Sequence, residues 1–492
     1  MPADASPSDG ETRATSEACT DTAAHKLSMA TMTTMVIGSM VGAGVFSLPA
    51  RFAQETGVAG ALIAWLIAGT GMLMLAFVFQ MLAIRRPDLD AGVYAYAKAG
   101  FGEYLGFFSA FGYWASACVG NVTYWVLIMS TVGAIAPVLG EGDTPLALAL
   151  STVGVWVFYA LIRRGVREAA AINRIVTIAK VIPILVFVVL AVFALDPQVF
   201  AGNFRGEGDV GPLFTQVRGT MLVTVFVFLG VEGASVYSRH AKRREDVGRA
   251  TVLGFLSVFA IFASVTIVSY GVLPYNEIAQ LRQPSMAGVL EAVVGPWGAA
   301  FVSLGLIVSV LGAYLAWTLM AAEVLVVAAK DDDMPRFLGR TTAADVPTPA
   351  LLMTTILIQI VLVVTAFSED AFNFALDLTS ALTLIPFLFA AAYALKLPLT
   401  RETYAEAPEG WNRDLVVGAL ATLYTAFLLF AAGPRFILLS FIIYAPASVL
   451  FVMARREQGR RLFSPVELVI LAVSVAGAVA GIVALAAGWI SL

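Results

Sequence analysis

The sequence predicts an all-α polytopic membrane protein whose core is a 5+5 inverted repeat with discontinuous helices 1 and 6, and about 13 transmembrane helices in total. Three observations predict it. The 492 residues are 59% hydrophobic and only 13% charged, with a mean hydropathy of +0.86, outside the range of an ordinary soluble domain. The apolar residues fall in separate runs of about 20, the length of helix that crosses a hydrocarbon core. Two of those runs, five spans apart, are interrupted by glycines.

Residues 1–27 are polar and rich in Ala, Ser, Thr and Asp, without the basic start and apolar stretch of a signal peptide, and read as a disordered cytoplasmic tail. Spans follow at 29–50, 57–83, 103–136, 147–162, 170–195, 217–238, 248–274, 294–329, 349–367, 370–396, 413–432, 434–454 and 466–490. Those at 103–136 and 294–329 are long enough to be strongly tilted or to run past the bilayer. The first span contains VIGSMVGAGVFSLP, residues 36–49, where Gly38, Gly42 and Gly44 each cost a helix roughly 1 kcal/mol relative to alanine. In hydrocarbon an opened helix survives only where its freed N–H and C=O groups face a cavity, other protein or a ligand. The alternative is that the small residues only let helices pack closely. The sixth span carries VFVFLGVEGASVY, in which Gly230, Glu232 and Gly233 interrupt a second apolar run. Five spans separate the breaks, and five is odd, so the second copy lies upside down relative to the first. Inverted repeats with paired broken helices mark substrate sites of secondary transporters, which favours the cavity over the packing reading. The halves are 28–195 and 217–396, together a ten-helix core over 28–396, and 397–492 holds three further helices.

Charge sets the orientation. With the N-terminus inside, 24 of the 30 basic residues are assigned to the cytoplasmic side and five to the other, and Lys180 alone lies well away from a span's ends. That imbalance fixes the topology and, with an odd number of spans, puts the C-terminus outside. The basic clusters are membrane anchors rather than nucleic-acid patches. Both histidines, His25 and His240, fall in polar segments, and the two cysteines, Cys19 and Cys118, are far apart, so neither a metal site nor a cofactor site is expected. No paired acids or His/Cys clusters sit within spans to support an enzyme. No loop is long enough for a signalling domain, and a channel would more naturally show rings of pore-lining acids or carbonyls.

The strings IGSMVGAGVFSLP, FQMLAIRRPDLDAGVYAYAKAGFGEYLGFFSAFGYW, GNVTYW, GVEGAS and AAKDDDMPRFL closely resemble the amino acid/polyamine/organocation superfamily, and within it the basic amino acid/polyamine antiporters of the arginine/ornithine group. The resemblance runs from about residue 27 to the last spans. It implies a leucine-transporter-like core, the bacterial inner membrane, and exchange of extracellular arginine for cytoplasmic ornithine, with lysine a further candidate. Proton-coupled uptake of arginine or lysine stays open, as do arginine/agmatine, lysine/cadaverine and histidine/histamine exchange. Homo-oligomerisation stays open.

The candidate site follows from dipole direction and from that likeness. The freed N–H groups of Gly42, Ala43 and Gly44 sit at a half-helix N-terminus and suit a substrate carboxylate, where the family pattern also puts it. Freed carbonyls of Phe228, Leu229 and Gly230 in the sixth span suit the α-ammonium. Glu232 is an intramembrane carboxylate, to be read as functional by default, its alternative being a structural acid paired with backbone N–H groups. Trp317 and Phe226 lie where the family has a cation-stacking ring and a gating ring, although arginine/agmatine relatives carry a larger aromatic at the Phe226 position. Tyr113 and Asn121 are eight residues apart, roughly on one helical face, and the family uses the Asn121 position near the substrate. Asp377 is a candidate to balance the substrate's second positive charge, or else a helix cap. Lys180 matches the lysine with which sodium-independent relatives replace a sodium ion, bracing span one against span eight; its alternative is snorkelling to the inner interface.

Overall fold

The computed structural model describes residues 29–89, 92–165, 169–206, 211–232, 244–342, 346–404 and 408–491, which are helices and connectors, with no strand among them. The segment expected to form the N-terminal tail, and Gly233 in the sixth span, lie outside the described residues. Helix α1 (Met29–Met40) ends at the glycine cluster; a 3-10 turn (Gly44–Ser47) and α2 (Leu48–Ala53) resume the span at an angle of 46°. Then come α3 (Val58–Arg85), a short α4 (Val93–Phe101), α5 (Glu103–Gly133), α6 (Pro145–Arg163) and α7 (Ala169–Phe193). After α8 (Pro197–Gly202) the chain continues with α9 (Leu213–Val227), α10 (Arg244–Ser269), the short α11 (Tyr275–Ala279) and α12 (Ser285–Val294), and then α13 (Pro296–Lys330), α14 (Thr348–Val364) and α15 (Ala371–Thr400). Helices α16 (Trp411–Glu457) and α17 (Pro465–Ala486) close the described chain.

Nine described helices are long and apolar enough to cross a membrane, or ten when the bent first pair counts as one span. The difference from thirteen has a plain origin. Helix α16 counts once although Gly433, with φ 71° and ψ 172°, breaks it into the two expected spans at 413–432 and 434–454. The fifth and sixth spans count only through the shorter apolar stretches Lys180–Phe193 and Leu213–Val227. The multi-pass helical membrane architecture is as the composition requires.

Helix α5 is the axis: 94% of its most apolar window is buried inside the protein, against 22% for α6 and for α17, which turn leucine, isoleucine and valine outward as a lipid-facing surface should. It packs against α4, α13 and α15, while α15 packs on α16, α10 on α1, and α13 on α7. Close approach depends on missing side chains: a Cβ on Gly112 of α5 would lie 1.6 Å from the hydroxyl of Tyr444 on α16, so only glycine admits that ring. Below it, Tyr104 and Phe107 of α5 stack with each other and meet Phe451 of α16, and the Tyr104 hydroxyl lies 2.8 Å from Ser448 Oγ. Helix α16 thus meets α5 through these rings and packs chiefly along α15. Helix ends are sealed locally. Thr144 accepts from the Ala147 N–H with Pro145 in the first turn of α6, and Ser464 and Glu467 form a reciprocal capping box on α17.

At the arginine-rich end of the bundle, charges join the connectors. Arg85 reaches Asp414 at 3.2 Å, Arg86 reaches Glu402 at 2.7 Å, and Arg455 reaches Glu103 at 2.8 Å. Helix α4 is tied to the turn after α13 twice, by Lys98 Nζ to Asp333 Oδ1 at 2.7 Å and by the Tyr94 hydroxyl donating to Asp331 Oδ2 at 2.8 Å.

Burial pushes the Asp333 carboxyl up from 3.8 to about 6, outweighing the pull of Lys98 beside it. The fold thus favours the protonated acid. The stability this confers is full below about pH 4 and is lost as pH rises through about 6. Thermal unfolding of the purified protein in detergent between about pH 4.5 and 7 should show a fall in Tm that Asp333→Asn removes; an unchanged slope in the variant would place the titration elsewhere.

Candidate functional site

Two interruptions of helix meet near the middle of the bundle. In the first span, Val41 N–H still bonds to Ile37 carbonyl at 2.9 Å and helical bonding resumes with Phe46 N–H to Ala43 carbonyl at 3.1 Å. Between these points the N–H groups of Gly42, Ala43 and Gly44 find no backbone acceptor among the described residues. In the sixth span α9 ends at Val227, and Gly230 takes φ +102°, a conformation that L side chains rarely adopt. The Ser39 hydroxyl shares its proton between the Val36 carbonyl of its own helix at 2.8 Å and the Gly230 carbonyl at 3.1 Å, so the two breaks touch there. The approach is close. A Cβ on Gly230 would lie 2.7 Å from the Ser39 carbonyl oxygen, and one on Gly44 would lie 2.7 Å from Val227 Cγ1.

Beside the breaks lies a cavity with an atom-free volume of ≈ 490 Å³, counted out to the solvent toward which it opens. The first span contributes Ser39, Met40, Gly42, Ala43 and Gly44, and the end of α9 contributes Phe226, Val227 and Leu229. Helix α5 presents Tyr113, Ser116, Ala117, Gly120 and Tyr124, a stripe at steps of three and four. Trp317 of α13 and Thr379 and Thr383 of α15 complete the wall. No lining side chain carries a charge. The hydroxyls of Ser116, Thr379 and Thr383 donate to Tyr113 O, Ala375 O and Thr379 O at 2.8, 2.7 and 2.9 Å. Their protons are spent on their own helices, and what they keep for a ligand is acceptor lone pairs.

The structure therefore brings Gly42, Ala43, Gly44, Tyr113, Phe226, Leu229 and Trp317 to one cavity and leaves other expected residues off its wall. Asn121 is turned away. Eight residues on a helix advance about 80° past two full turns, and its amide donates to Thr318 Oγ1 on α13 at 3.0 Å instead of facing the cavity with Tyr113. Asp377 does not present a free charge to a ligand: it pairs with Arg51 of α2 at 2.8 Å, a partner 326 residues away. Phe228 is fully buried among the rings of Trp65, Phe255 and Phe262, and its carbonyl accepts from Val231 N–H at 3.2 Å. With the Gly230 carbonyl taken by Ser39, Leu229 is the one of the three expected carbonyl residues that lines the cavity. Glu232 stands one residue behind the wall. The Tyr113 hydroxyl donates to its Oε1 at 2.6 Å and the Gly230 N–H donates to Oε2 at 3.1 Å. Lys180, 3% exposed, donates from Nζ to the carbonyl of Gly38, a group that the break would otherwise leave unpaired.

Sequence reasoning missed Ser39, Ser116, Gly120, Tyr124, Thr379 and Thr383. The α5 stripe was available from helical spacing once Tyr113 was chosen. The two threonines were not, since nothing in LTSALTL separates a ligand-facing hydroxyl from one that only bonds its own helix.

Known proteins resemble this chain closely. A family model described as amino acid permease matches residues 27–454. An arginine/ornithine antiporter of Pseudomonas aeruginosa is 46% identical over 476 residues, which cover 95% of this chain and 99% of that protein. An L-lysine transport protein of Corynebacterium glutamicum is 41% identical, with 95% and 96% covered, and an arginine/ornithine antiporter of Latilactobacillus sakei is 37% identical, with 93% and 97% covered.

The glycines of the two breaks are not equivalent. Gly230→Ala forces a strained φ and a backbone clash, worth roughly 1–3 kcal/mol or more. A Cβ on Gly42 meets only the Tyr124 hydroxyl, at an ordinary 3.6 Å. Thermal unfolding should find Gly230→Ala markedly destabilised and Gly42→Ala close to wild type; equal Tm values for the two variants would contradict the geometry.

Proposed function

The chain belongs to the amino acid permease family, and we propose that it exchanges cationic amino acids across the cytoplasmic membrane, arginine against ornithine, by alternating access. Lysine joins the substrate class through the lysine-transporting relative. The observation that carries the reading is the chemistry of the cavity, with unpaired N–H donors at one side and acceptor hydroxyls beside a tryptophan at another. A zwitterionic head with a cationic side chain fits that division.

In this reading the α-carboxylate takes the N–H groups of Gly42, Ala43 and Gly44 at the positive end of the half-helix. The α-ammonium donates toward Leu229. The side-chain cation lies against Trp317, where a ring face attracts it by about 1–2 kcal/mol when desolvated, and donates to the lone pairs of Ser116, Thr379 and Thr383. Glu232 acts at one remove, lending negative charge through the Tyr113 hydroxyl rather than by contact. Residues 28–195 and 217–396 are the inverted halves of the transport core, whose breaks meet at Ser39 and Gly230, and 397–492 are added helices. The arginine-rich end is cytoplasmic, with the N-terminus there and the C-terminus outside. Lys180 fills the place of a sodium ion by holding the Gly38 carbonyl with a tethered ammonium. Exchange follows if ligand contacts stabilise the closing state, so that the loaded carrier crosses and the empty one does not.

Liposomes containing the purified protein and preloaded with ornithine should take up labelled arginine rapidly, and empty liposomes should not. Removing sodium should change nothing in the wild type, and Lys180→Ala should impair exchange in either buffer. Uptake into empty liposomes driven by an imposed pH gradient would replace exchange by proton coupling. Trp317→Ala should weaken arginine binding roughly tenfold, the equivalent of about 1.4 kcal/mol; unchanged affinity would remove the ring from the site.

A further inference from the structure

Helix α5 points two tyrosines into the cavity from the same stripe, eleven residues and about three turns apart. They differ in what their hydroxyls do. Tyr113 has spent its proton on Glu232 at 2.6 Å. Tyr124 is 6% exposed, and its hydroxyl bonds to no group among the described residues. That hydroxyl faces the first break: it lies 3.6 Å from the place a Cβ on Gly42 would occupy, beside the N–H groups that also lack acceptors. The phenol thus opens onto the cavity with its proton uncommitted, and the backbone groups nearest it at the first break are donors as well. What they lack in common is an anion.

We propose that Tyr124 is a specificity-determining residue whose hydroxyl donates to the substrate carboxylate across from the Gly42–Gly44 N–H groups, and so selects α-amino acids over their decarboxylated amines. The proposal rests on the cationic amino acid reading above. The backbone donors take one carboxylate oxygen and the phenol takes the other, as a charge-assisted O–H···O⁻ bond. When an amine of the same side chain binds, the phenol and the break N–H groups stay desolvated and unpaired, and a site built to hydrogen-bond a group rejects the analogue that lacks it. Neither Trp317 nor the threonine wall makes that distinction, because arginine and agmatine share the guanidinium.

Equilibrium displacement of labelled arginine by arginine and by agmatine, on purified protein in detergent, tests this. Wild type should prefer arginine by tenfold or more. Tyr124→Phe should lose about tenfold for arginine and keep its agmatine affinity, collapsing the ratio. Retained agmatine binding certifies that the Tyr124→Phe protein is folded, and Tyr124→Leu reads the same ratio should the phenylalanine variant not fold. Parallel loss of both ligands, or no change in either, would overturn the role of Tyr124. A wild-type protein that binds agmatine as tightly as arginine would overturn it as well, and one that binds neither would overturn the substrate reading on which it stands.

Discussion

The structure depends on one constraint, that a peptide group in hydrocarbon must have a partner. Interrupting a helix there frees N–H and C=O groups that the hydrocarbon cannot pair, and the first and sixth spans both do so. The freed groups are distributed among three takers. Some serve each other, as Ser39 does the Gly230 carbonyl; one is met by a side chain from a third element, as Lys180 meets the Gly38 carbonyl; and the N–H groups of Gly42, Ala43 and Gly44 find no backbone acceptor among the described residues and face the cavity. The glycines follow from that arrangement. Gly230 can hold its positive φ against the Ser39 backbone only without a Cβ, and Gly44 lets the 3-10 turn lie on the end of α9.

Much of this was legible in the sequence because the constraint acts locally. A glycine cluster in an apolar run declares a break without reference to anything else, and a charge in a span declares itself in the same way, so Gly42–Gly44, Gly230, Glu232 and Lys180 could be picked out one at a time. What could not be read were relationships between elements. Asp377 looked like a spare charge because its partner Arg51 sits at the far end of the first span, 326 residues away, and only the folded chain brings the two together. Asn121 looked like a companion of Tyr113 because eight residues are nearly a whole number of turns. The remaining offset is enough to hand the side chain to Thr318. Phe228 was expected to offer its carbonyl, but the tight turn after α9 consumes it at Val231. Spans 413–432 and 434–454, read from the pattern alone, survive as two arms of α16 around Gly433.

The same distinction separates binding from bracing among the polar residues. Ser380 and Thr379 are neighbours on α15, yet Ser380 bonds to the Leu222 carbonyl of α9 while Thr379 faces the cavity. Glu232, the most conspicuous residue of the sixth span, is screened from the cavity by the hydroxyl it accepts from. Residue type identified candidates; only helical phase decided which of them a ligand can touch.

The uncharged cavity wall has an energetic corollary. A charge moved through the full membrane potential exchanges about 2.3 kcal/mol with it per 100 mV. Here Lys180 is anchored to Gly38, Asp377 to Arg51, and Glu232 to Tyr113 and Gly230, and no side chain on the cavity wall among the described residues carries a charge. If one monovalent cation leaves for each that enters, the two electrical works cancel, and the potential across the membrane neither powers the cycle nor brakes it. The concentration ratios of the two amino acids then set its direction, and a cell could run it at any voltage.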